Sequence, residues 1–441
     1  MSLKISVIGL GYLGATHAVV MAQLGHEVIG VEPNVERLDS LRAGKLPFYE
    51  PGLQESLTDA VASGRLRFTD RHNEISAAAD LHFICVGTPQ LTGSQAADTR
   101  HLYSAISDLA TVIQDGAVVA GKSTVPVGTA ADLRAELLNK SGKKVELVWN
   151  PEFLREGHAL QDSLTPDRIV VGISPETKDL GPEMVLRAAY SAQIAAQIPF
   201  LVTDLATSEL VKVAANAFLA TKISFINAVA EMAELTGADA GQLAEAIGFD
   251  ERIGSKFLRN GIGFGGGCLP KDIHAFEAKA SEIGAKGIAS LLQAVDSINL
   301  ERRARVIDLA KLALGELTGK RIVVLGAAFK AETDDIRESP ALEVALALKS
   351  AGATVLVHDP MALDAVRLKH PGLETKDDLL EALAGAELAI LATEWSLYRN
   401  LDPVAVSSVV AAKNLIDGRN YLDAEKWQSA GWSVFGLGRG A

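Results

Sequence analysis

Cys268 closes the run Gly261-Ile-Gly-Phe-Gly-Gly-Gly267, five glycines in seven residues, and is followed by Leu269-Pro270-Lys271-Asp272. Glycine lets a backbone pass close to a ligand and take positive φ, and proline suits the first turn of a helix. A helix is predicted from Lys271 to Gly284, with Cys268 just before its N-terminus. The partial positive charge there and the nearby Lys271 favour a thiolate, so the chemistry on offer is nucleophilic attack by sulfur. The competing reading is a glycine-rich turn with an incidental buried thiol, which is the commoner fate of a lone cysteine. Two further pairs have chemical spacing. Glu152 and Glu156 follow Asn150-Pro151, a cap and first-position proline that predict a helix with both carboxylates on one face. Such a pair can move protons or orient water, although an ordinary solvated helix face has the same pattern. Lys212 and Asn216 are also four apart and share a face. A lysine in a largely apolar helix either snorkels or functions.

These residues need elements to position them. Ile5–Gly9 is a short apolar strand, followed by Gly9-Leu-Gly11-Tyr12-Leu13-Gly14 and an apolar helix to about Leu24. A second strand, Val28–Val31, ends at Glu32, 18 residues after Gly14. This is the dinucleotide-binding (Rossmann) fingerprint in its required βαβ context. Gly9 makes the tight turn, Gly11 admits the pyrophosphate, Gly14 lets the helix pack close, and the helix N-terminus holds phosphate. Glu32 would accept ribose hydroxyls and repel the extra phosphate of NADP. Three more strands are predicted: Leu81–Val86 running into Gly87-Thr88-Pro89, Ala117–Ser123 into Thr124-Val-Pro-Val-Gly128, and Val145–Trp149 into Asn150-Pro151-Glu152. Function in open parallel sheets collects at such C-terminal strand ends. Cys85, inside an apolar strand, reads as packing.

From Asp204 to Thr236 the apolar spacing is helical, with no glycine or proline until Gly237. That length suggests a spine between two domains. Helical stretches continue to about Leu314. The α/β pattern then restarts at Gly319–Gly326, with a helix Pro340–Ser350 and a strand Thr354–His358 ending at Asp359. This is a degenerate repeat of residues 5–32 without the three glycines, carrying Phe329-Lys330 and Thr333–Arg337 at its turn. It could bind a different nucleotide, or serve dimerisation or structure alone. The predicted class is α/β: a Rossmann domain over 1–203, a central long-helix domain with the cysteine loop over 204–316, and a Rossmann-like domain over 317–441.

With 42 basic and 55 acidic residues the net charge is −13, which argues against non-specific nucleic-acid binding. The two cysteines lack metal-type spacing and point to a reduced, cytoplasmic setting. No run long enough to span a membrane is evident, so no membrane partner is expected. The start of the chain runs straight into the glycine motif and reads as a strand rather than a signal peptide.

Taken in order, the motifs resemble the UDP-glucose 6-dehydrogenase family within the nucleotide-sugar dehydrogenases, over nearly the whole chain. They are Gly9–Gly14, Tyr49-Glu-Pro-Gly-Leu53, Val86-Gly-Thr-Pro89, Ser123–Thr129, Asn150-Pro-Glu-Phe-Leu-Arg-Glu-Gly157, Glu209–Asn216, Arg252-Ile-Gly254, the cysteine loop, Ala328-Phe-Lys330 and Arg337-Glu-Ser-Pro340. The resemblance implies that Cys268 is the nucleophile and Lys212 stabilises oxyanions. Asn216 and Asp272 orient substrate and water, while Thr124, Glu152 and Glu156 manage protons and water. It implies that Tyr12, Leu13, Glu32, Arg37, Thr88, Thr124, Glu156, Lys271 and Arg337 face NAD, with the fingerprint glycines. The UDP-sugar is assigned to Glu152, Phe153, Leu154, Arg155, Lys212 and Asn216, to Phe257, Leu258, Arg259, Asn260 and Gly261, and to Phe264, Gly265 and Lys330. Arg252 is assigned to the sugar site of a neighbouring subunit. The chain departs from the family loop at Gly267, where serine is usual, and at Leu269, where phenylalanine is frequent and leucine occurs in GDP-mannose relatives. These departures bear on sugar specificity rather than chemistry.

The function expected is NAD-dependent, four-electron oxidation of UDP-glucose to UDP-glucuronate, because taking a primary alcohol to an acid needs two hydride transfers. A thiolate retains the aldehyde as a thiohemiacetal, and the second transfer leaves a thioester for water to hydrolyse. Lys212 and Asn216 suit the oxyanion. The hydrolytic base is open between Glu152, Glu156 and Asp272. Alternatives are a 6-dehydrogenase of another nucleotide sugar, a two-electron hydroxyacid-type dehydrogenase sharing the fingerprint and the Lys-x-x-x-Asn helix, and a non-catalytic nucleotide-sugar sensor. The expected assembly is a homodimer through the long central helix. No metal site is expected.

Overall fold

The computed structural model describes residues 2–76, 79–176 and 181–439. The chain forms two compact units. One comprises residues through Ala215 together with His274–Ile283, and the other Asn216–Ile273 together with Gly284 onward.

The first unit is built on an eight-stranded sheet. Its strands are β1 (Lys4–Ile8), β2 (Glu27–Val31), β3 (Leu66–Thr69), β4 (Leu81–Ile84), β5 (Val118–Gly121), β6 (Glu146–Trp149), β7 (Ile169–Gly172) and β8 (Phe200–Thr203). Their order is β3-β2-β1-β4-β5-β6-β7-β8. All pairs are parallel except β6 with β7, which meet antiparallel at Trp149 and Gly172. Parallel strands are covered on both faces, and β4, β5, β6 and β7 are buried at every residue. Ile5 and Val7 of β1 enter one buried cluster with Phe83 and Met21, whereas Ile8 enters another with Ile84, Ile106 and Trp149. Each fully buried valine, isoleucine or leucine in these clusters is worth about 1.5–3 kcal/mol. The helix Tyr12–Gln23 is buried without a break from Gly14 to Ala22, which is why its sequence lacks a polar stripe.

In the second unit a six-stranded parallel sheet contains β9 (Arg321–Leu325), β10 (Thr354–His358), β11 (Glu374–Thr375), β12 (Leu388–Leu391), β13 (Asn414–Asp417) and β14 (Ser433–Gly436). Its order is β11-β10-β9-β12-β13-β14, so its six strands reproduce the order of the first six strands of the first sheet. The repeat extends to the acid after the second strand. Glu32 accepts from the Leu10 amide (2.9 Å), and Asp359 accepts from the amides of Ala327 (2.7 Å) and Ala328 (3.0 Å). In both cases a carboxylate fixes the turn that follows the first strand.

The helix Leu205–Thr236 runs for 32 residues, and Lys286–Leu314 for 29. By length and composition Leu205–Thr236 is long and apolar enough to cross a membrane, which corrects the expectation that no such run exists. Charged residues interrupt it, and it buries Glu209, Lys212 and Asn227 alongside Ala220, Ile226 and Ala230.

The helix expected from Asn150-Pro151 does not form. Residues 150–155 are irregular, and the helix there is Ala159–Leu164. The physical reason is that the Asn150 side chain is engaged elsewhere. Its Oδ1 accepts from the Tyr190 hydroxyl (2.6 Å) and Lys122 Nζ (3.1 Å), and its Nδ2 donates to the Val170 carbonyl (2.8 Å). No oxygen remains to cap a helix at that point. Glu152 and Glu156 therefore do not lie on one helical face.

Candidate active site

The dinucleotide turn has the geometry its glycines predict. Gly9 sits at φ +87°, and a Cβ on Gly14 would lie 1.8 Å from the Gly9 carbonyl oxygen. Nothing lies within 4 Å of the Cβ position of Gly11, so the N-terminus of Tyr12–Gln23 is open to an anion. Glu32 stands at the end of β2, where it accepts from the Asn34 amide (3.0 Å) and pairs with Arg37 (3.2 Å). These residues fit the phosphates and ribose of a nicotinamide dinucleotide. Leu13 packs on the core below the turn. At the ends of β4 and β5, Thr88 donates to the Thr124 carbonyl (2.8 Å) and Ser123 to the Val86 carbonyl (2.7 Å), tying the two loops together.

The segment carrying Glu152 and Glu156 is pinned at both ends. At its start Lys122 Nζ donates to the Asn150 carbonyl (3.4 Å) as well as to its side chain. Burial pushes Lys122 down to about 8. At its end the Glu50 carboxylate accepts from the amides of Gly157 (2.7 Å) and Ala159 (2.6 Å) and from the Tyr12 hydroxyl. Burial and the Glu50 contact raise the Tyr12 phenol. Tyr12, assigned to NAD by resemblance, thus spends its hydroxyl on this anchor. Between the anchors Glu152 pairs with Lys212 at 2.9 Å and accepts from the Leu154 amide at 2.7 Å. Lys212 is buried and the Glu152 side chain is 12% exposed, so the pair is largely shielded from solvent screening. Phe153 lies under the Arg168 guanidinium, 3.7 Å from the ring centroid, with Lys212 at 5.7 Å. Arg155 is clamped to Asp162 (2.8 and 2.7 Å), and Glu156 is buried. Cys85 is buried, and burial pushes its thiol up to about 12, as a packing residue requires.

In the second unit the cysteine loop fits because it lacks side chains. A Cβ on Gly265 would meet the Glu338 carbonyl oxygen at 2.0 Å, one on Gly266 the Phe329 ring at 2.7 Å, and one on Gly267 the Arg337 guanidinium carbon at 2.2 Å. Hydrogen bonds hold the loop along its length. The Gly261 amide donates to Asn227 Oδ1 (2.9 Å), Ile262 to the Gly418 carbonyl (2.9 Å), Phe264 to Asn299 Oδ1 (2.8 Å) and Gly266 to the Arg337 carbonyl (3.0 Å). Cys268 is exposed at the N-terminus of the helix Leu269–Glu282, and its carbonyl accepts from the Asp272 amide at 2.9 Å. The helix therefore starts at the cysteine, as expected. Buried Asp272 accepts from Asn216 Nδ2 (2.7 Å) and pairs with Lys271 (2.6 Å). This joins three of the residues singled out from sequence.

Other assigned residues are more dispersed. Leu258 is buried, and the Asn260 side chain donates to the Leu437 carbonyl (2.6 Å). Phe257 takes φ +63°, a strained value for a residue with a side chain. Leu258, Arg259 and Asn260 line a cavity of 300 Å³ with Ser255, Asn420 and Gly438. Arg252 is exposed and forms a bidentate pair with Asp250 (3.0 and 2.6 Å). Lys330 Nζ sits 5.5 Å from the Phe329 ring centroid, and Arg337 pairs with Asp335 at 2.6 Å. Among the described residues no group of acids, histidines and cysteines could hold a metal.

Sequence reasoning missed Lys122, Glu50 and Arg419. Arg419 donates to the carbonyls of Gly263 (2.9 Å), Phe329 (3.0 Å) and Ala392 (2.8 Å), binding the cysteine loop to the turn after β9. The Tyr49-Glu-Pro-Gly motif carried Glu50, but a carboxylate that caps a helix more than 100 positions away leaves no local signal.

Two nucleotide-type α/β sheets, a dinucleotide turn and an exposed thiol at a helix start define a nucleotide-dependent oxidoreductase. Three family models match the chain in order: the UDP-glucose/GDP-mannose dehydrogenase family NAD-binding domain over 3–192, its central domain over 206–301 and its UDP-binding domain over 323–424. A UDP-glucose 6-dehydrogenase of Rhizobium meliloti (strain 1021) is 39% identical over 99% of this chain and 100% of its own length. A UDP-glucose dehydrogenase structure from Pyrobaculum islandicum matches with TM-score 0.91 and 38% identity, covering 100% of this chain and 98% of that one. A UDP-D-ManNAc dehydrogenase structure from Pyrococcus horikoshii matches with TM-score 0.86 at 26% identity, covering 99% of each chain. The chain belongs to the UDP-glucose/GDP-mannose dehydrogenase family and is a dehydrogenase with a nicotinamide-dinucleotide domain.

Proposed function

We propose that this chain oxidises C6 of UDP-glucose to the carboxylate of UDP-glucuronate, with NAD as acceptor and Cys268 as covalent nucleophile. The observation that carries the reading is the exposed Cys268 at a helix start, on a glycine loop whose helix also presents Asp272 bonded to Asn216 and Lys271. NAD, when bound, takes up one hydride in each oxidation, and Gly9, Gly11, Gly14 and Glu32 hold it. The sulfur adds to the aldehyde carbon, and its oxygen becomes the thiohemiacetal oxyanion, which the Lys212 ammonium and Asn216 amide stabilise. Loss of the second hydride leaves a thioester. Water adds to that carbonyl, the C–S bond breaks and the thiolate is restored, while a carboxylate from Glu152, Glu156 or Asp272 takes the proton. Thr124 orients the water in this scheme. Leu154, Arg155, Phe257–Gly261, Phe264, Gly265 and Lys330 carry the UDP-sugar, and Thr88, Lys271 and Arg337 complete the NAD site.

The long helix supports a homodimer. Phe218, Phe225 and Met232 recur every seven residues and are each more than half exposed, so they form one apolar stripe. In that dimer Arg252 completes the neighbour's sugar site. Two free cysteines agree with a reduced, cytoplasmic setting.

The test is NADH yield per sugar across UDP-glucose, UDP-ManNAc and GDP-mannose. Wild type should release two NADH per UDP-glucose. Cys268→Ser should bind both ligands yet lose about a thousandfold in turnover, or roughly 4 kcal/mol of barrier. One NADH with aldehyde as product would replace this reading by a two-electron dehydrogenase, and a preference for another sugar would move the substrate.

A further inference from the structure

Lys122 is a buried cation that the chemistry above does not use. It follows β5, and among the described residues every hydrogen bond it makes runs to a neutral group: the Asn150 carbonyl (3.4 Å), Asn150 Oδ1 (3.1 Å) and the Tyr190 hydroxyl (3.3 Å). Its ammonium also lies over the rings of Phe83 and Tyr190, 5.6 and 5.9 Å from their centroids. The titratable groups facing it are Cys85, Glu152, Lys212, His17 and Tyr190. Burying an ammonium among neutral partners is unfavourable, and tying two strands together does not require it.

What the charge does at this position follows from its target. It grips the carbonyl and the side chain of Asn150 together and so fixes the plane of the Asn150–Pro151 peptide. Pro151 has a locked φ, so the orientation set at Asn150 passes directly to Glu152. Lys122 thereby holds the start of the segment whose end is held by Glu50 and Tyr12. Glu152 in turn faces the Lys212 ammonium at 2.9 Å. We propose that Lys122 is a positioning residue: it sets the Asn150–Glu152 turn and through it holds the Glu152 carboxylate against Lys212. The proposal rests on the reading of Glu152 and Lys212 as members of the active site.

The full-length enzyme tests it with Lys122→Met, Lys122→Arg and Tyr190→Phe. The first readout is hydrogen exchange at the Leu154 amide, which donates to Glu152; the second is kcat and KM for NADH formation from UDP-glucose. Lys122→Met should speed Leu154 exchange and lower kcat by about a hundredfold, as misplacement of a catalytic group does, with KM for NAD within about twofold. Lys122→Arg, which keeps the charge, should recover much of the kcat. Wild-type exchange and kcat in Lys122→Met would overturn the proposal. So would a loss that Lys122→Arg does not recover and that tracks a lowered melting temperature. If Lys122→Met fails to fold, Tyr190→Phe decides. Faster Leu154 exchange with reduced kcat supports the proposal, and wild-type values for both overturn it. Should wild type itself fail to oxidise UDP-glucose, the functional reading falls while the exchange readout still decides the positioning role.

Discussion

Gly265→Ala and Gly267→Ala make the same change two residues apart in the cysteine loop, and their costs should differ severalfold. Neither glycine takes positive φ, so alanine itself would stabilise each position by about 0.4–1 kcal/mol through the unfolded chain. The environment decides the outcome. At Gly265 the new Cβ lies 2.0 Å from the Glu338 carbonyl oxygen and 2.6 Å from Pro340 Cδ, where carbon–oxygen contact begins at about 3.3 Å. Neither neighbour can yield. Pro340 opens the helix Pro340–Ser350, and Ser339 caps that helix while donating to the Ala327 carbonyl at 2.7 Å. The loop must move by more than an ångström, which breaks the Gly266–Arg337 backbone bond. A cost of about 3 kcal/mol follows, at the upper end for overpacking. At Gly267 the Cβ meets the end of the Arg337 side chain, with the guanidinium carbon at 2.2 Å. That group can swing away at the expense of its half-exposed pair with Asp335, so the cost should stay within about 1 kcal/mol. Urea unfolding followed by tryptophan fluorescence reads both variants, because Trp395, Trp427 and Trp432 lie in the second unit and Trp149 in the first. Equal destabilisation by the two variants, or a Gly265→Ala loss below about 1 kcal/mol, would refute the steric reasoning.

Acidification should weaken the first unit through His82, which burial holds neutral down to about 4 in the folded state. The unfolded chain binds the proton first, so stability falls as pH drops from about 6.5 to about 4, by about 3 kcal/mol in all. His82→Gln should reduce that slope by about 1.4 kcal/mol per pH unit, and an unchanged slope would exclude the assignment. Glu32 should give NAD an advantage of at least about a hundredfold in kcat/KM over NADP, since a phosphate beside that carboxylate costs a few kcal/mol. Glu32→Gln, which frees Arg37, should narrow the gap; equal use of both cofactors by wild type would contradict this. Sedimentation should find wild type as a dimer or larger and Phe218→Asp/Phe225→Asp as a monomer. A wild-type monomer with full activity would remove the helix stripe as an interface.

The parts legible in the sequence are those encoded by local patterns. Gly9, Gly11, Gly14 and Glu32 announced a βαβ turn because each meets a steric or hydrogen-bonding demand within one supersecondary unit. Cys268 before Pro270 announced a helix start for the same reason, and the 3.6-residue period announced the helix from Leu205. The error at Asn150-Pro151 shows where local inference stops. That dipeptide has the right residues for a helix cap, yet Lys122 after β5, Tyr190 in a turn between helices and Val170 in β7 take up the whole asparagine side chain. A propensity of about 1 kcal/mol for capping is easily overridden by three such bonds. Glu50, Lys122 and Arg419 were likewise invisible, because each acts on backbone groups far along the chain. The types of the candidate site groups could be read from one dimension. Which carboxylate meets which ammonium, Glu152 with Lys212 and Asp272 with Lys271, was decided only when the chain folded, since hydrogen-bond partners are set by distances in space.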